Sequence, residues 1–201
     1  MKFTNQDIKA YADSIDARIV ITSMVTGKPI VFPAFLTDIA QTFSSTWNTE
    51  TVFGRSDPIA TFQGTQRSIS IAFDLPAGDK TVAQHNLDLT AQLSAMVYPS
   101  YQDHKVTVPG AIWTAARIMK SPPLVKIKFA NLISGKANGL LGYIDSLSIN
   151  PVMESGMYSV NKKLYPKVIS ISFGFNVLHQ DTMGWNDENK QWIPTKVPFL
   201  D

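Results

Sequence analysis

The sequence predicts a mainly β domain of the α+β class with one main helix, on three observations. Period-two alternation, which sends every second side chain to the same face of a strand, recurs along the chain. One stretch, Asp79 to Tyr98, replaces it with helical spacing. The 201 residues, 44% hydrophobic and 17% charged, suffice to bury one core, so residues 1–201 are read as a single domain.

The first 45 residues read as an N-terminal arm followed by first strands, lying mostly outside the core pattern. Within and just after them, Arg18 to Val25, Pro29 to Phe35 and Trp47 to Phe53 are strand candidates, rich in β-branched or aromatic residues and edged by turn formers. Gly54 can take a positive φ, and Pro58 pushes Asp57 towards extended geometry, so Gly54 to Pro58 reads as a corner before another candidate, Ile59 to Gln63. Across that corner Arg55 can pair with Asp57, or it can reach an acidic group on an adjacent subunit.

The next strand is more secure. From Ser68 to Leu75, Ile69, Ile71, Phe73 and Leu75 alternate with Ser68, Ser70, Ala72 and Asp74. The helix then places Val82, Leu89, Leu93, Met96 and Val97 on one stripe, bounded by Pro76 and Gly78 before and Pro99 after. Asn86 falls on that stripe and is expected to be a buried amide satisfied by backbone groups. Alternation resumes in Leu124 to Phe129, where Lys126 and Lys128 oppose Val125, Ile127 and Phe129. Leu140 to Ile149 is a further strand candidate of the same kind as the early ones, by composition. Alternation is clearest in Val168 to Val177, with Ser170, Ser172, Gly174 and Asn176 against five large apolar residues. From residue 180 to 201 no period persists; Trp185, Trp192 and Phe199 are expected to fold back over the sheet or to dock on another chain.

A formal charge of +2 gives no basis for nonspecific binding to nucleic acid or an anionic membrane. Absence of cysteine removes disulfides, thiolate catalysis and Cys-based metal sites. Charges in the first eleven residues interrupt any signal-peptide h-region, and the longest apolar run, Ile30 to Leu36, is far short of a membrane span, so a soluble protein made in the cytoplasm is expected. No phosphate-cradling or dinucleotide-binding motif and no nucleophile elbow occurs. His85, His104 and His179 fall in no metal-ligand spacing; His104 beside Asp103 and His179 near Asp181 only superficially resemble an oriented base. No catalytic, cofactor or metal residue is assigned, and an enzyme is not expected. Lys126 and Lys128 read as the solvent side of a half-buried strand or as edge protection rather than a nucleic-acid patch.

Residues 45 to 180 carry a resemblance. Gly54-Arg55-Ser56-Asp57-Pro58, the strand ending Leu75-Pro76-Ala77, the helix exit Tyr98-Pro99-Ser100-Tyr101, the strand start Pro122-Pro123-Leu124, then LLGYIDSLSINP and VISISFGFNVLHQ follow one another in an order that resembles the tail-tube initiator, or baseplate hub-to-tube adaptor, proteins of contractile-tailed bacteriophages. The resemblance implies two antiparallel sheets packed as a sandwich or partial barrel, with one flanking helix at about 79–98. It also implies a homo-oligomeric ring, expected to be a hexamer, in which one sheet of every subunit joins a continuous barrel around a channel for DNA.

On that reading the protein is a virion component of the tail baseplate, assembled in the host cytoplasm. It would sit on a hub protein, template the tail tube or a second initiator ring above it, and touch baseplate wedge proteins, with no membrane contact and no cofactor. DNA would pass through without specific binding. Ser68, Ser70, Ser170, Ser172 and Asn176 are expected to border the channel, Lys126 and Lys128 to face outward or a subunit contact, and Arg55, Asp57, Trp185 and Trp192 to serve subunit interfaces. Rival readings are the tail-tube subunit itself, a second initiator ring, or a carbohydrate-binding β-sandwich using Trp47, Trp113, Trp185 or Trp192.

Overall fold

Strand-forming residues fill most of the chain in the computed structural model, which describes residues 18–33, 35–102, 105–108, 111–114, 118–130, 132–133, 139–160, 162–180 and 183–193. In order these form β1 (Ile19–Ser23), β2 (Pro29–Phe32), β3 (Phe35–Glu50), β4 (Ile59–Pro76), α1 (Lys80–Met96), β5 (Ser100–Gln102), β6 (Lys105–Val108), β7 (Ala111–Thr114) and β8 (Ile118–Ser121). There follow β9 (Val125–Phe129), β10 (Leu140–Pro151), β11 (Met157–Val160), β12 (Lys163–Pro166), β13 (Val168–Val177), β14 (Gly184–Asn186) and β15 (Gln191–Ile193). The fold is mainly β with one helix among the described residues. None of these helical residues is part of a helix long and apolar enough to cross a membrane.

Seven strands make one sheet in the order β2-β1-β9-β10-β13-β4-β3, every neighbour antiparallel. Its outermost strands, β2 and β3, are nearly consecutive in sequence. Phe32 ends one and Phe35 starts the other, so three peptide links hold their Cα atoms within about 11 Å. A flat sheet would set those strands about 29 Å apart, six steps of about 4.8 Å. The sheet must therefore coil upon itself. Phe32 of β2 accordingly meets Phe73 of β4, with ring centroids 5.5 Å apart, and Phe73 meets Phe173 of β13 at 6.3 Å. β2 and β3 do not pair, so the coil is not closed into a barrel. The two packed sheets expected from the resemblance are in this way the two halves of one continuous sheet, joined through β9 and β10.

The inside of the coil is the apolar face that alternation marks: Ile19 and Ile21, Ile30 and Phe32, Ile69 to Leu75, Val125 to Phe129, and Ile169 to Val177 at every second position. Ile19, Ile21, Ile30 and Phe32 therefore belong to the core, and the first 45 residues are not uniformly peripheral. Close packing inside the coil also dictates Gly142, where a Cβ would collide with the Asn176 carbonyl and lie 2.6 Å from the Phe175 ring.

The helix packs on β2, β11 and β12 and buries Ala83, Asn86, Leu89, Thr90 and Leu93. Its start is fixed by Asp79, whose carboxylate accepts the Val82 amide hydrogen at 2.8 Å. Asn86 is 3% exposed and donates to the Pro76 carbonyl at 3.3 Å, so the expected satisfied amide is present and ties the helix to the end of β4. Tyr158 of β11 donates to the adjacent Ala77 carbonyl at 3.2 Å, anchoring the same corner.

Trp47 to Glu50 and Ile59 to Gln63 are not independent strands. They are the far ends of β3 and β4, of 16 and 18 residues, which lack apolar alternation because both faces there are exposed; Thr51 to Phe53 lie beyond β3 in the turn.

Phe32→Ala is expected to destabilise the monomer by about 3–5 kcal/mol, since it opens a cavity between the two halves of the coil. Val31→Ala, from the outward side of the same strand, should stay within about 0.5 kcal/mol. Urea denaturation of the two variants measures the difference.

Candidate assembly surfaces

The outer face of β10, β13, β4 and β3 is polar because alternation leaves it the small residues. Ser70 and Ser172 are exposed there; Ser68, Ser170 and Asn176 are partly buried beside them. Thus all five residues expected to border a channel lie on one face. Ser170 donates to Asp74 at 2.6 Å, and Asn176 donates through Nδ2 to Asp145 at 2.8 Å. A bulge between Ile144 and Ser146 brings Ser146 over Gly174, where its hydroxyl accepts the Gly174 amide hydrogen at 3.2 Å and donates to Asp145 at 3.1 Å. A side chain on residue 174 would strike that cluster, with Ser146 Oγ at 2.9 Å from its Cβ.

Asp38, Asp74 and Asp145 are the charges of this face. The segments 35–44, 68–76, 142–151 and 168–177 contain no Lys or Arg. Lys126 and Lys128 also point away from the core, but from β9, beyond β10 on the coiled sheet; Lys128 is exposed and Lys126 partly buried.

Among the described residues, two edges of this four-stranded region are open. There β3 pairs with β4 and with no other strand. β10 meets β9 over Leu140 to Gly142, so residues 143–151 have β13 on one side and no described strand on the other.

A second surface begins where β4 outruns β13. Beyond Ser68 its only strand partner among the described residues is β3, and residues 43–50 with 59–67 project as a two-stranded ribbon. Such ribbons are marginal alone. This one is clamped at its base by Arg67, 1% exposed, whose Nε and Nη2 donate to Gln41 Oε1 at 3.2 and 2.8 Å while the guanidinium lies 5.6 Å from the Phe43 ring centroid. Burial pushes the Arg67 pKa below its ordinary value.

A bulge opposite Thr46 and Trp47, at Gly64 to Phe62, brings Phe62 against Trp47, edge to face at 5.1 Å. Phe43, Trp47, Ile59 and Phe62 remain about half exposed, and Phe53 at the tip is fully so. Gly54 takes φ +89° in the tip turn, as its place in the sequence requires. Arg55 and Asp57 form no ion pair across the turn.

Residues 184–193 supply the third surface. Trp185 and Trp192 face each other across the β14–β15 hairpin with centroids 5.5 Å apart, so the rings are sheltered chiefly by one another; Trp192 is still 72% exposed. Of the expected alternatives, fold-back over the main sheet is not what these two rings do. The hairpin turn is set by Asn186, which accepts the Glu188 and Asn189 amide hydrogens, and Asp187 pairs with Lys190 at 2.6 Å. Between this hairpin and the ribbon base lies a cleft of about 380 Å³ lined by Phe43, Phe62, Thr65, His179, Met183 and Gly184.

His85 is exposed on α1, and among the described residues no group of three or more His, Asp or Glu is placed to hold a metal ion. Asp103, His104, Asp181 and Phe199 lie outside the described residues, as does the side chain of Trp113. The ribbon is the feature missed from the sequence. Its available signal was the Gly54 to Pro58 corner midway between two segments that carry aromatic residues on otherwise polar strands.

Compared with protein-family models and with curated proteins, the sequence matches none.

Arg67→Ala removes both donors and the cation over Phe43. It is expected to cost about 2–3 kcal/mol. Hydrogen-exchange mass spectrometry should register faster exchange in residues 43–47 and 62–67 and unchanged protection in 69–75.

Proposed function

We propose that this chain is a structural virion protein of a contractile-tail baseplate, forming a ring on the hub and initiating polymerisation of the tail tube. The observation that carries the reading is the four-stranded region β10-β13-β4-β3, with two open edges and a cation-free outer face. Strands alternate in direction across it, so β3 of one copy is antiparallel to β10 of the next when copies are placed side by side about an axis. An even number of strands per copy lets that alternation continue round a ring without a fault. Each contact uses a different edge on either partner, the heterologous type that closes into rings when the rotation allows. Closure satisfies the backbone groups that both edges leave unpaired.

Size agrees with a DNA channel. Six copies of a four-stranded piece, at about 4.8 Å per strand and about 40° tilt, make a barrel of about 48 Å backbone diameter, enough for a duplex once side chains are allowed for. The polar face then lines the bore. Asp38, Asp74 and Asp145 repel phosphates, while Ser68, Ser70, Ser170, Ser172 and Asn176 hold water, so DNA slides without binding. Templating follows from geometry: a closed ring offers the next ring a completed rim.

Negative-stain microscopy of the purified protein at increasing concentration should reveal rings with a central bore, and adding them to tube subunits should shorten the lag before tubes appear. A chain that polymerises alone into long tubes is the tube subunit instead. A chain that stays monomeric overturns the proposal. Ser70→Lys with Ser172→Lys should yield rings that retain duplex DNA at low salt and release it steeply as salt rises, whereas unaltered rings retain none.

A further inference from the structure

Backbone hydrogen bonds decide which residues look out of the two open strand edges. In an antiparallel sheet the N–H and C=O of one residue serve the same neighbouring strand, and successive residues serve opposite neighbours. β13 turns its even-numbered residues to β10: the Val152 amide donates to the Val168 carbonyl at 3.0 Å and the Leu178 amide to the Leu141 carbonyl at 2.8 Å. Its odd-numbered residues serve β4, as the Ala77 amide donating to the Lys167 carbonyl at 2.7 Å shows. Carried along the registers, this leaves Leu147 and Ile149 looking out of β10, and Ile39, Gln41 and Phe43 looking out of β3. All five share the sheet face that carries the core, since they stand opposite Phe173, Ile171, Ile71, Ile69 and Arg67. Joining β3 of one copy to β10 of the next therefore continues apolar face with apolar face and polar with polar. A slip of one residue would break that match, so the offset between copies is an even number of residues.

Ring closure sets the size of the offset. Within one copy Ala40, Ser70, Gly174 and Ser146 stand in one row across the four strands. If Ala40 met Ser146 of the next copy, every strand would run parallel to the ring axis, whereas a closed sheet tilts its strands by about 35–45°. An offset of about four residues, about 13 Å along the strands for each about 19 Å across them, gives a tilt of about 35°; an offset of about two gives about 19°. One direction is blocked, because an offset that brought Ala40 to Gly142 would need an edge that β9 already occupies. The other direction brings Ala40 to Asn150.

We infer that copies of this chain join in one register, with Ala40, Thr42 and Ser44 of one copy opposite Asn150, Ser148 and Ser146 of the next on the polar face, and Gln41 and Phe43 opposite Ile149 and Leu147 on the apolar face. The inference rests on the ring proposed above and fixes how its subunits meet. Features independent of the tilt agree with it. The paired stretch of β3 lies between that strand's two bulges, at 36–38 and 46–47, and the paired stretch of β10 begins after its own bulge, so both are regular throughout. Pro151, with no N–H to offer, ends the pairing opposite Ile39. Phe43, 46% exposed in the monomer, gains Leu147, an apolar side chain at the sheet edge that is itself only partly buried. Asp38 falls beyond the paired stretch, so no carboxylate faces another across the joint.

The chain contains no cysteine, so introduced cysteines report the register directly. Thr42 and Ser148 form a pair without mutual backbone hydrogen bonds in this register, with Cα atoms about 4.5 Å apart, within disulfide range. Inside one chain they are separated by at least three strand spacings, about 14 Å, so a link between them joins two copies. Thr42→Cys protein is mixed at assembling concentration with Ser146→Cys, Ser148→Cys or Asn150→Cys protein and oxidised. The mixed disulfide dimer should form chiefly with Ser148→Cys, and the chain carrying both Thr42→Cys and Ser148→Cys should give a ladder of oligomers. Ile149→Pro removes an amide that serves only the open edge; it should leave the monomer folded and raise the concentration for half-assembly by about tenfold. Ser148→Pro removes an amide that serves β13 and should lower the melting temperature of the monomer itself. Rings that cross-link chiefly through Ser146→Cys or Asn150→Cys would overturn this register and leave the ring intact. Thr42→Cys homodimers alone would mean that β3 pairs with β3 about a two-fold axis, overturning both the register and the ring, and absence of assembly by the unaltered chain would do the same.

Discussion

Three peptide links, from Phe32 to Phe35, connect the opposite edges of a seven-stranded sheet, and that short tether is the constraint from which the architecture follows. It forces the sheet to coil, and coiling separates an inside from an outside. Inside, β-branched and aromatic side chains from distant strands meet, as Phe32 does with Phe73. Outside, the same alternation leaves serines, asparagine and aspartates. The tether closes the coil covalently without closing its hydrogen bonding, so among the described residues the 16-residue β3 keeps one edge free.

From there the unfinished features share one origin. A strand pair longer than the sheet that supports it must project, and a projecting ribbon cannot bury its aromatics against its own core. Arg67 marks the boundary: it is held by Gln41 and Phe43 where the last supported residues of β4 give way to the free ones. Past it, Trp47 and Phe62 shelter each other only in part. Exposed aromatic surface on this scale is costly in a free monomer and is characteristic of contact sites. The proposed function, joining copies, would account for the free edges, the projecting ribbon and the uncharged-to-acidic outer face together.

Much of this was legible in the sequence because burial on one face writes a period of two. Val168 to Val177 matches β13 residue for residue, and the helix, Lys80–Met96, lies between Pro76 and Gly78 on one side and Pro99 on the other as expected. The ends of β3 and β4 were legible only as fragments. Where both faces are exposed, as from Phe43 to Glu50, no period distinguishes strand from loop, and Gly64 at a bulge reads as a break. The serine face could be listed residue by residue, but its partnership with Asp74 and Asp145 needed the register between β13, β4 and β10. Likewise Trp185 and Trp192 lie seven positions apart; only the hairpin makes them neighbours. The coil itself could not be foreseen, since strand order is a property of pairing and not of any one segment.

Amide hydrogen exchange compared between monomer and assembled particle tests the central claim most directly. Satisfying the open edges requires that residues 35–44 and 144–151 slow together on assembly while the interior strand β13 changes little. If those two segments exchange equally fast in both states, or if the interior strand alone responds, neighbouring copies do not complete this sheet and the account is wrong.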